Sequence, residues 1–337
     1  MAFRQPSPLR VLFVASGNSA HFDIIPFIKE QGRALEQSGV EVSYFGVQGK
    51  GLWGYLRSVG PLRRLLKTGK FDLIHGHFIL SGLVAILANL GSRPVVVSLM
   101  GSDAYGEYIG AGRVSFASRY LTLLTWITQP FFTAIISKSS NIERFVYLKK
   151  KSFVIPNGID LEKFRPDVKS ASAIDDLKEA TNILFLGSAK NKRKNIELVK
   201  QAIHRLGNMN IRLVNPYPVG HHEIPGLLNR FPVLAVCSFM EGSPNLVKEA
   251  MACNCPIVTT DVGDVRWVIG ETDGCFVADF TADDFARKLE SAILYSQKRG
   301  RTRGRDQIMA LGLGAQDVSQ RVIEVYKFAL KKHENPN

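Results

Sequence analysis

Cysteine is scarce in this 337-residue chain: there are four, Cys237, Cys253, Cys255 and Cys275. All sit in apolar or strand-like contexts and no secretion signal is recognisable, so a disulfide framework is not expected. Cys253-Asn-Cys255 has no second pair at metal-ligand spacing, which leaves small buried thiols as the expectation. No Asp-x-Asp follows an apolar strand, so a divalent cation bridging a diphosphate is not indicated. Helix-turn-helix, zinc-finger and ribonucleoprotein patterns are missing too, which argues against nucleic acid as a partner. One charge-free run, residues 120–137, is long enough to raise the question of a membrane span. Pro130 interrupts it, and Thr, Gln and Ser are spread through it. A helix followed by a short strand, Phe132–Ile136, accounts for it better.

What is present describes a globular protein, with 45% hydrophobic and 22% charged residues. The length suggests two domains with ample core in each. Apolar runs at Leu9–Ala15, Val40–Phe45, Phe71–His75, Pro94–Ser98, Ala134–Ser137 and Ser152–Ile155 read as strands. Helical segments between them imply a doubly wound parallel sheet. Residues 166–180 are polar, mixed in charge and poor in aromatics, and read as a linker. Alternation then restarts with strands at Asn182–Leu186, Ile211–Val214, Val233–Cys237 and Pro256–Thr260. The last helix, Asp317–Lys332, is amphipathic.

Charge is unevenly spread. Residues 1–165 hold 20 Lys and Arg against 10 Asp and Glu, whereas residues 166–337 hold 23 against 20. A basic first half suggests anionic partners, either an acidic glycan or an anionic membrane surface. Trp53, Tyr55, Arg57, Arg63, Arg64 and Lys67 fall in one segment suited to the latter.

The most informative stretch is Glu241-Gly-Ser-Pro-Asn-Leu-Val-Lys-Glu249, followed by Ala-Met-Ala. Ser243 suits an N-cap and Pro244 the first helical position. The amides of Asn245, Leu246 and Val247 then lie at the positive end of a helix dipole, a setting for a polyhydroxyl or phosphorylated ligand. Glu249 lies one turn deeper on the face of Asn245. A second basic loop, Gly187-Ser-Ala-Lys-Asn-Lys-Arg193-Lys194-Asn195, leaves a strand and opens a helix.

From Glu241 to Gly263 the chain resembles the retaining glycosyltransferases of family 4, whose signature is Glu, seven residues, Glu, then Pro-Ile-Val and Asp-Val-Gly. The resemblance implies an α/β GT-B fold, with two Rossmann-like domains facing a cleft. It puts an acceptor-side domain at residues 1–165, a nucleotide-sugar-binding domain at 181–316, and a helix at 317–337 crossing back to the first. It implies that Glu249 binds the donor ribose and that Glu241, with the backbone of Gly242, Ser243, Pro244, Asn245 and Leu246, holds the transferred sugar. Lys194, with Arg193 beside it, would neutralise the diphosphate next to Gly187. Ser188 stands where relatives carry arginine, and Lys190 or Lys192 could substitute. Cations there lower the barrier because a nucleoside diphosphate leaves with added negative charge.

In the first domain, Gly17 and Asn18 follow a strand, and their amides either reach the diphosphate or form a structural turn. Gly101-Ser102-Asp103 matches the family's His-Gly-Ser-Asp form, with Met100 in the place of histidine. Asp103 either orients the acceptor hydroxyl or caps the following turn. His75 and His77 share a strand face, and either line the acceptor side or are satisfied core residues. Asp261–Asp264 is a further donor-side loop, and Ile155–Asp160 shapes the hinge.

The expectation is therefore a retaining, metal-independent transferase, without cofactor because the nucleotide sugar is a substrate. The donor is a UDP- or GDP-hexose and the acceptor a glycan or lipid-linked glycan of surface or capsular polysaccharide. The location is cytoplasmic, peripheral at the inner face of the membrane. Met100 and Ser188 keep a second class open, an inactive binding subunit, and a sugar-nucleotide epimerase is a third.

Overall fold

The computed structural model describes residues 8–18, 22–167, 181–207 and 209–335. The expected linker, residues 166–180, lies almost wholly outside them. The chain divides into two compact units. Met1–Gly106, Ala117–Gly158 and Ala315–Asn337 form the first, and Glu107–Phe116 with Ile159–Gly314 the second.

The first unit is built on β1 (Leu9–Ser16), β2 (Val40–Val47), β3 (Leu73–His77) and β4 (Val95–Leu99). A short hairpin, β5 (Tyr108–Gly110) and β6 (Arg113–Val114), then groups with the second unit, and β7 (Ala134–Ser137) and β8 (Ser152–Val154) complete the first sheet. The sheet is parallel, in the order β2-β1-β3-β4-β7-β8. Its inner strands β1 and β4 read as nearly unbroken apolar runs because both faces are covered. Leu12 and Val14 of β1 point into one core with Leu62, Val84 and Leu121. Val11, Phe13 and Ala15 point into the other, with Ile28, Val322 and Tyr326. The last helix, Ala315–Glu334, thus packs on the first unit, where Val318, Val322, Val325, Tyr326 and Ala329 form its buried stripe.

Residues 120–137 resolve into the helix Arg119–Thr128, a 3₁₀ turn Gln129–Phe131, and β7. Among the described residues no helix is long and apolar enough to cross a membrane. Tyr55, expected in a surface segment with Trp53, instead turns inward and is buried in the core that also holds Leu62 and Ile79.

The second unit carries β9 (Thr181–Leu184), β10 (Ile211–Val214), β11 (Val233–Val236), β12 (Ile257–Thr260) and β13 (Cys275–Ala278), all parallel, in the order β10-β9-β11-β12-β13. The order reverses between β9 and β11, which opens a crevice at their carboxyl ends. The loops leaving those two strands contain Arg193 and Lys194 in one and Glu241 in the other. All four cysteines are free and buried, and burial pushes the Cys237, Cys253 and Cys275 thiols up to about 12 and Cys255 to about 11.

Candidate active site

The basic loop after β9 is held by its own backbone and by the segment that follows β11. Lys192–Lys194 forms one 3₁₀ turn, with the Asn191 side chain accepting from the Arg193 amide at 3.1 Å. Asn195, at φ 51°, turns the chain into the helix Ile196–Arg205. The Arg193 carbonyl accepts from the Phe239 amide at 2.9 Å, and the Lys194 carbonyl from Cys237 Sγ at 3.3 Å. Gly187 fits because a Cβ there would come 3.3 Å from Lys194 Cγ. Lys190 and Lys192 are exposed.

Both clamped cations converge on one carboxylate. Arg193 Nη1 lies 2.9 Å from Glu241 Oε2, and Lys194 Nζ 2.7 Å from Oε1. Ser238 Oγ donates to Oε1 at 2.8 Å, and Arg193 Nη1 also reaches the Met240 carbonyl at 2.9 Å. Burial pushes the Glu241 pKa up, but the Lys194 and Arg193 charges and the hydrogen bonds from Lys194 and Ser238 outweigh it. The group therefore stays below the usual carboxylate range. Two cations on one anion leave this corner net positive, beside a helix N-terminus.

That helix runs Asn245–Ala252, one residue later than the sequence suggests. Pro244 is the N-cap and Ser243 does not cap it, because the Ser243 hydroxyl is engaged elsewhere. It donates to Asp264 Oδ2 at 2.7 Å and accepts from Lys248 Nζ at 3.0 Å. Lys248 is fully buried, and burial lowers its pKa to about 8 against the pull of Asp264 and Glu249. Burial raises Asp264 despite Lys248 and Ser243. Gly263, at φ 61°, brings the β12 loop against the signature, since a Cβ would sit 2.6 Å from the Gly242 carbonyl oxygen. Gly242 and Pro244 are buried, and Leu246 packs against the core of this unit.

Glu249 is nearly buried and meets His221 Nε2 at 3.0 Å through Oε1. His221 Nδ1 lies 2.8 Å from Lys163 Nζ. An ammonium can only donate, so Nδ1 accepts and Nε2 carries the hydrogen given to Glu249. A lysine thus sets the tautomer of a histidine that orients the carboxylate.

In the first unit, the expected residues are mostly engaged in structure. The Gly17 amide donates to the Val47 carbonyl at 2.8 Å, so it is not directed at a ligand. The Asn18 amide points to Ser16 Oγ at 3.4 Å, while its side chain staples Gly49 at 2.8 and 2.7 Å. Both residues take the structural-turn alternative. Asp103 is fully buried: Oδ1 accepts from Met100 and Gly101 at 2.9 and 2.8 Å, and Oδ2 from Ile79 at 3.2 Å. Of its two expected roles, these contacts are those of the capping one. His75 is a satisfied core histidine, bonded to Tyr326 at 2.7 Å and Ser98 at 2.8 Å. His77 is buried and stacked on His75 at 4.2 Å, and burial holds it neutral. Neither of its ring nitrogens has a hydrogen-bond partner among the described residues. Ser102 is half-buried at the start of the turn Ser102–Tyr105.

Residues 22–163 match the family described as Glycosyltransferase Family 4, and residues 172–294 match Glycosyl transferases group 1. The chain belongs to the family 4 glycosyltransferases. The Escherichia coli UDP-Gal:alpha-D-GlcNAc-diphosphoundecaprenol alpha-1,3-galactosyltransferase is 25% identical to it over 312 residues, covering 80% of this chain and 79% of that protein. Sucrose-phosphate synthase from Thermosynechococcus elongatus gives a TM-score of 0.76 at 17% identity, over 95% of this chain and 98% of its own. Anabaena Alr3699/HepE, solved with UDP and glucose, gives 0.68 at 17% identity over 95% and 99%. The fold is GT-B.

In this family 4 glycosyltransferase the structure joins Arg193, Lys194 and Glu241 directly. Glu249 lies on the helix that follows Glu241, and the buried Lys248 next to it in the chain reaches Ser243 and feels the charges of Asp264 and Glu249. Sequence reasoning missed Lys163, His221 and Lys248. Lys248 left a signal, as a second charge beside Glu249 between Val247 and Ala250 in an apolar helix. His221 left none, because it is 28 positions from Glu249 and joins it through a loop without periodicity.

Proposed function

We propose that this glycosyltransferase moves a hexosyl group, with retention of anomeric configuration and without a metal ion, from a UDP-sugar to a lipid-linked glycan at an anionic membrane surface. The observation that carries the reading is the pair of cations, Arg193 and Lys194, held on Glu241 beside the helix that bears Glu249. The diphosphate takes over part of the Arg193 and Lys194 charge, with Lys190 at the open side of the loop. Glu241, released in part, accepts from hydroxyls of the transferred sugar, and the first-turn amides after Pro244 support the same group. Glu249, oriented by His221, accepts from the ribose diol.

The donor bond loosens towards an oxocarbenium-like state, and the departing β-phosphate oxygen takes the bond's electron pair. The acceptor hydroxyl attacks the same face and passes its proton to that oxygen, so no protein nucleophile is needed. Arg193 and Lys194 favour this transition state because the negative charge on the phosphate grows as the bond breaks. The preference for UDP and for a lipid-linked acceptor is supported by the names of the Escherichia coli relative and the Anabaena structure. Polysaccharide synthesis and a cytoplasmic site, peripheral at the inner face of the membrane, follow from that acceptor.

A thermal-shift panel of UDP, GDP and ADP with their hexoses tests the donor, with stabilisation by the UDP series expected. Transfer in EDTA tests the metal: full activity is expected, and loss restored by Mg²⁺ or Mn²⁺ would overturn that part. An α-linked donor yielding a β-linked product would overturn retention.

A further inference from the structure

The helix Arg119–Thr128 is turned the wrong way for a globular protein. Its buried positions are Leu121, Thr125 and Thr128, whereas Tyr120, Leu123, Trp126 and Ile127 are exposed. The inward threonines are accommodated by hydrogen bonds, Thr125 Oγ1 to the Asp103 carbonyl at 2.6 Å and Thr128 Oγ1 to Leu124 at 2.6 Å. The outward apolar stripe is therefore not a by-product of core packing, and contiguous patches of this kind mark a contact site. Phe131, 66% exposed, continues it at the next turn. Tyr147 joins it, its ring 6.3 Å from that of Trp126. The Tyr147–Lys151 segment is fixed there because Gln129 bonds to Phe145, Tyr147 and Leu148, and Lys151 Nζ donates to the Pro130 and Phe132 carbonyls.

The neighbouring helix Ile79–Asn89 packs against Arg119–Thr128 and ends on Leu90, 73% exposed and in a left-handed conformation at φ 51°. Helices Gly51–Leu56 and Val59–Thr68 pack on its other side, where Trp53 is 79% exposed. All of these helices cover one face of the first sheet.

Charge decides what would lie on this face. From residue 108 to 142 the chain has no Asp or Glu, and from 42 to 102 it has only Asp72, which is paired with Arg10 at 2.7 Å. Glu143, the next acid, is bonded by Ser137, Ser152 and Lys149. Exposed cations flank the apolar stripe on both sides: Arg57, Arg64 and Lys67 on one, Arg144, Lys149 and Lys150 on the other. Resting on the lipid-linked acceptor read above, we propose that this face of the first unit is a docking surface for an anionic lipid bilayer. Trp126, Ile127, Phe131 and Leu123 enter the acyl boundary while the flanking cations meet headgroup phosphates.

Flotation of the full chain with vesicles of phosphatidylcholine, with and without phosphatidylglycerol, tests it. The wild type is expected to co-float with the anionic vesicles and to be partly released by salt. Trp126→Glu/Phe131→Glu, two changes at water-exposed positions, is expected to lower partition at least about tenfold. UDP release from a UDP-hexose should be unchanged in that variant, so a failure of docking is separable from a failure of the transferase reading. Equal flotation of variant and wild type, or no flotation of a folded wild type at low salt, would overturn the proposal. So would concentration-dependent self-association of the wild type, without vesicle binding, that the variant loses. That result would make the face an interface between copies.

Discussion

Glu241 holds Arg193 and Lys194 in place through two ion pairs, and on the proposed reading neither cation then has to be recruited from solvent when the phosphate enters. Glu249 is itself oriented by His221, and its proposed role gives a direct test. Glu249→Ala should weaken nucleotide binding roughly tenfold to hundredfold, since a hydrogen bond to a charged group contributes about 1.5–3 kcal/mol. Titration calorimetry on the folded variant checks this, and unchanged affinity would remove Glu249 from the donor site. Asp103 makes a prediction about pH instead. Burial raises its pKa from 3.8 to about 6, against the amides of Gly101, Met100 and Ile79. A raised folded-state pKa adds stability that is complete below about 3.8 and is lost as pH rises through about 6. The melting-temperature advantage of the wild type over Asp103→Asn should therefore shrink between pH 4 and 7, by on the order of 3 kcal/mol in stability. A constant difference would mean that Asp103 titrates normally. Glu241, Glu249 and the Arg193-Lys194 pair could be singled out in the sequence because the family signature marks their positions, and the structure brings Arg193, Lys194 and Glu241 into contact. Asp103 was ambiguous because the same carboxylate after a glycine serves either a ligand or three backbone amides, and only burial separates the two.

At the scale of elements, the parallel strands were legible because burial on both faces leaves continuous runs such as Val95-Val-Val-Ser-Leu99. The ends shifted by one or two residues where a run continued into a loop, as at Val47 and His77. The hairpin β5–β6 escaped because strands of three and two residues, with a register irregularity, carry no pattern. Strand β13 escaped for a similar reason, four residues opening on Cys275 just after the Asp273-Gly274 turn. The signature helix was found, but its cap was misread because Ser243 has a better partner in Asp264. The Gly263 turn is the element that presses the β12 loop onto Glu241-Gly242. Gly263→Ala should cost about 1–3 kcal/mol from the positive φ and the clash, and should lower turnover by displacing the Glu241 loop. Chemical denaturation together with a transfer assay checks this. A variant with wild-type stability and turnover would show that the close approach is not needed.

For the whole molecule, two α/β units were legible in the alternating apolar runs and the last helix in its amphipathic stripe, whereas the unit that the stripe packs on was implied only by the family resemblance. The grouping of Glu107–Phe116 with the second unit does not, because nothing in a ten-residue excursion states which sheet it joins. Part of the basic excess of the first half, including Arg57, Arg64 and Lys67, is exposed on or beside the helices that cover one face of its sheet. The central claim is that Arg193 and Lys194 stabilise the departing diphosphate. It is tested most directly by the rate of UDP release from a UDP-hexose, in EDTA, for the wild type and Arg193→Ala/Lys194→Ala. Turnover is expected to fall by about a hundredfold to a thousandfold in the double variant, with much less change in affinity for uridine. Near-normal turnover in a folded double variant would contradict it.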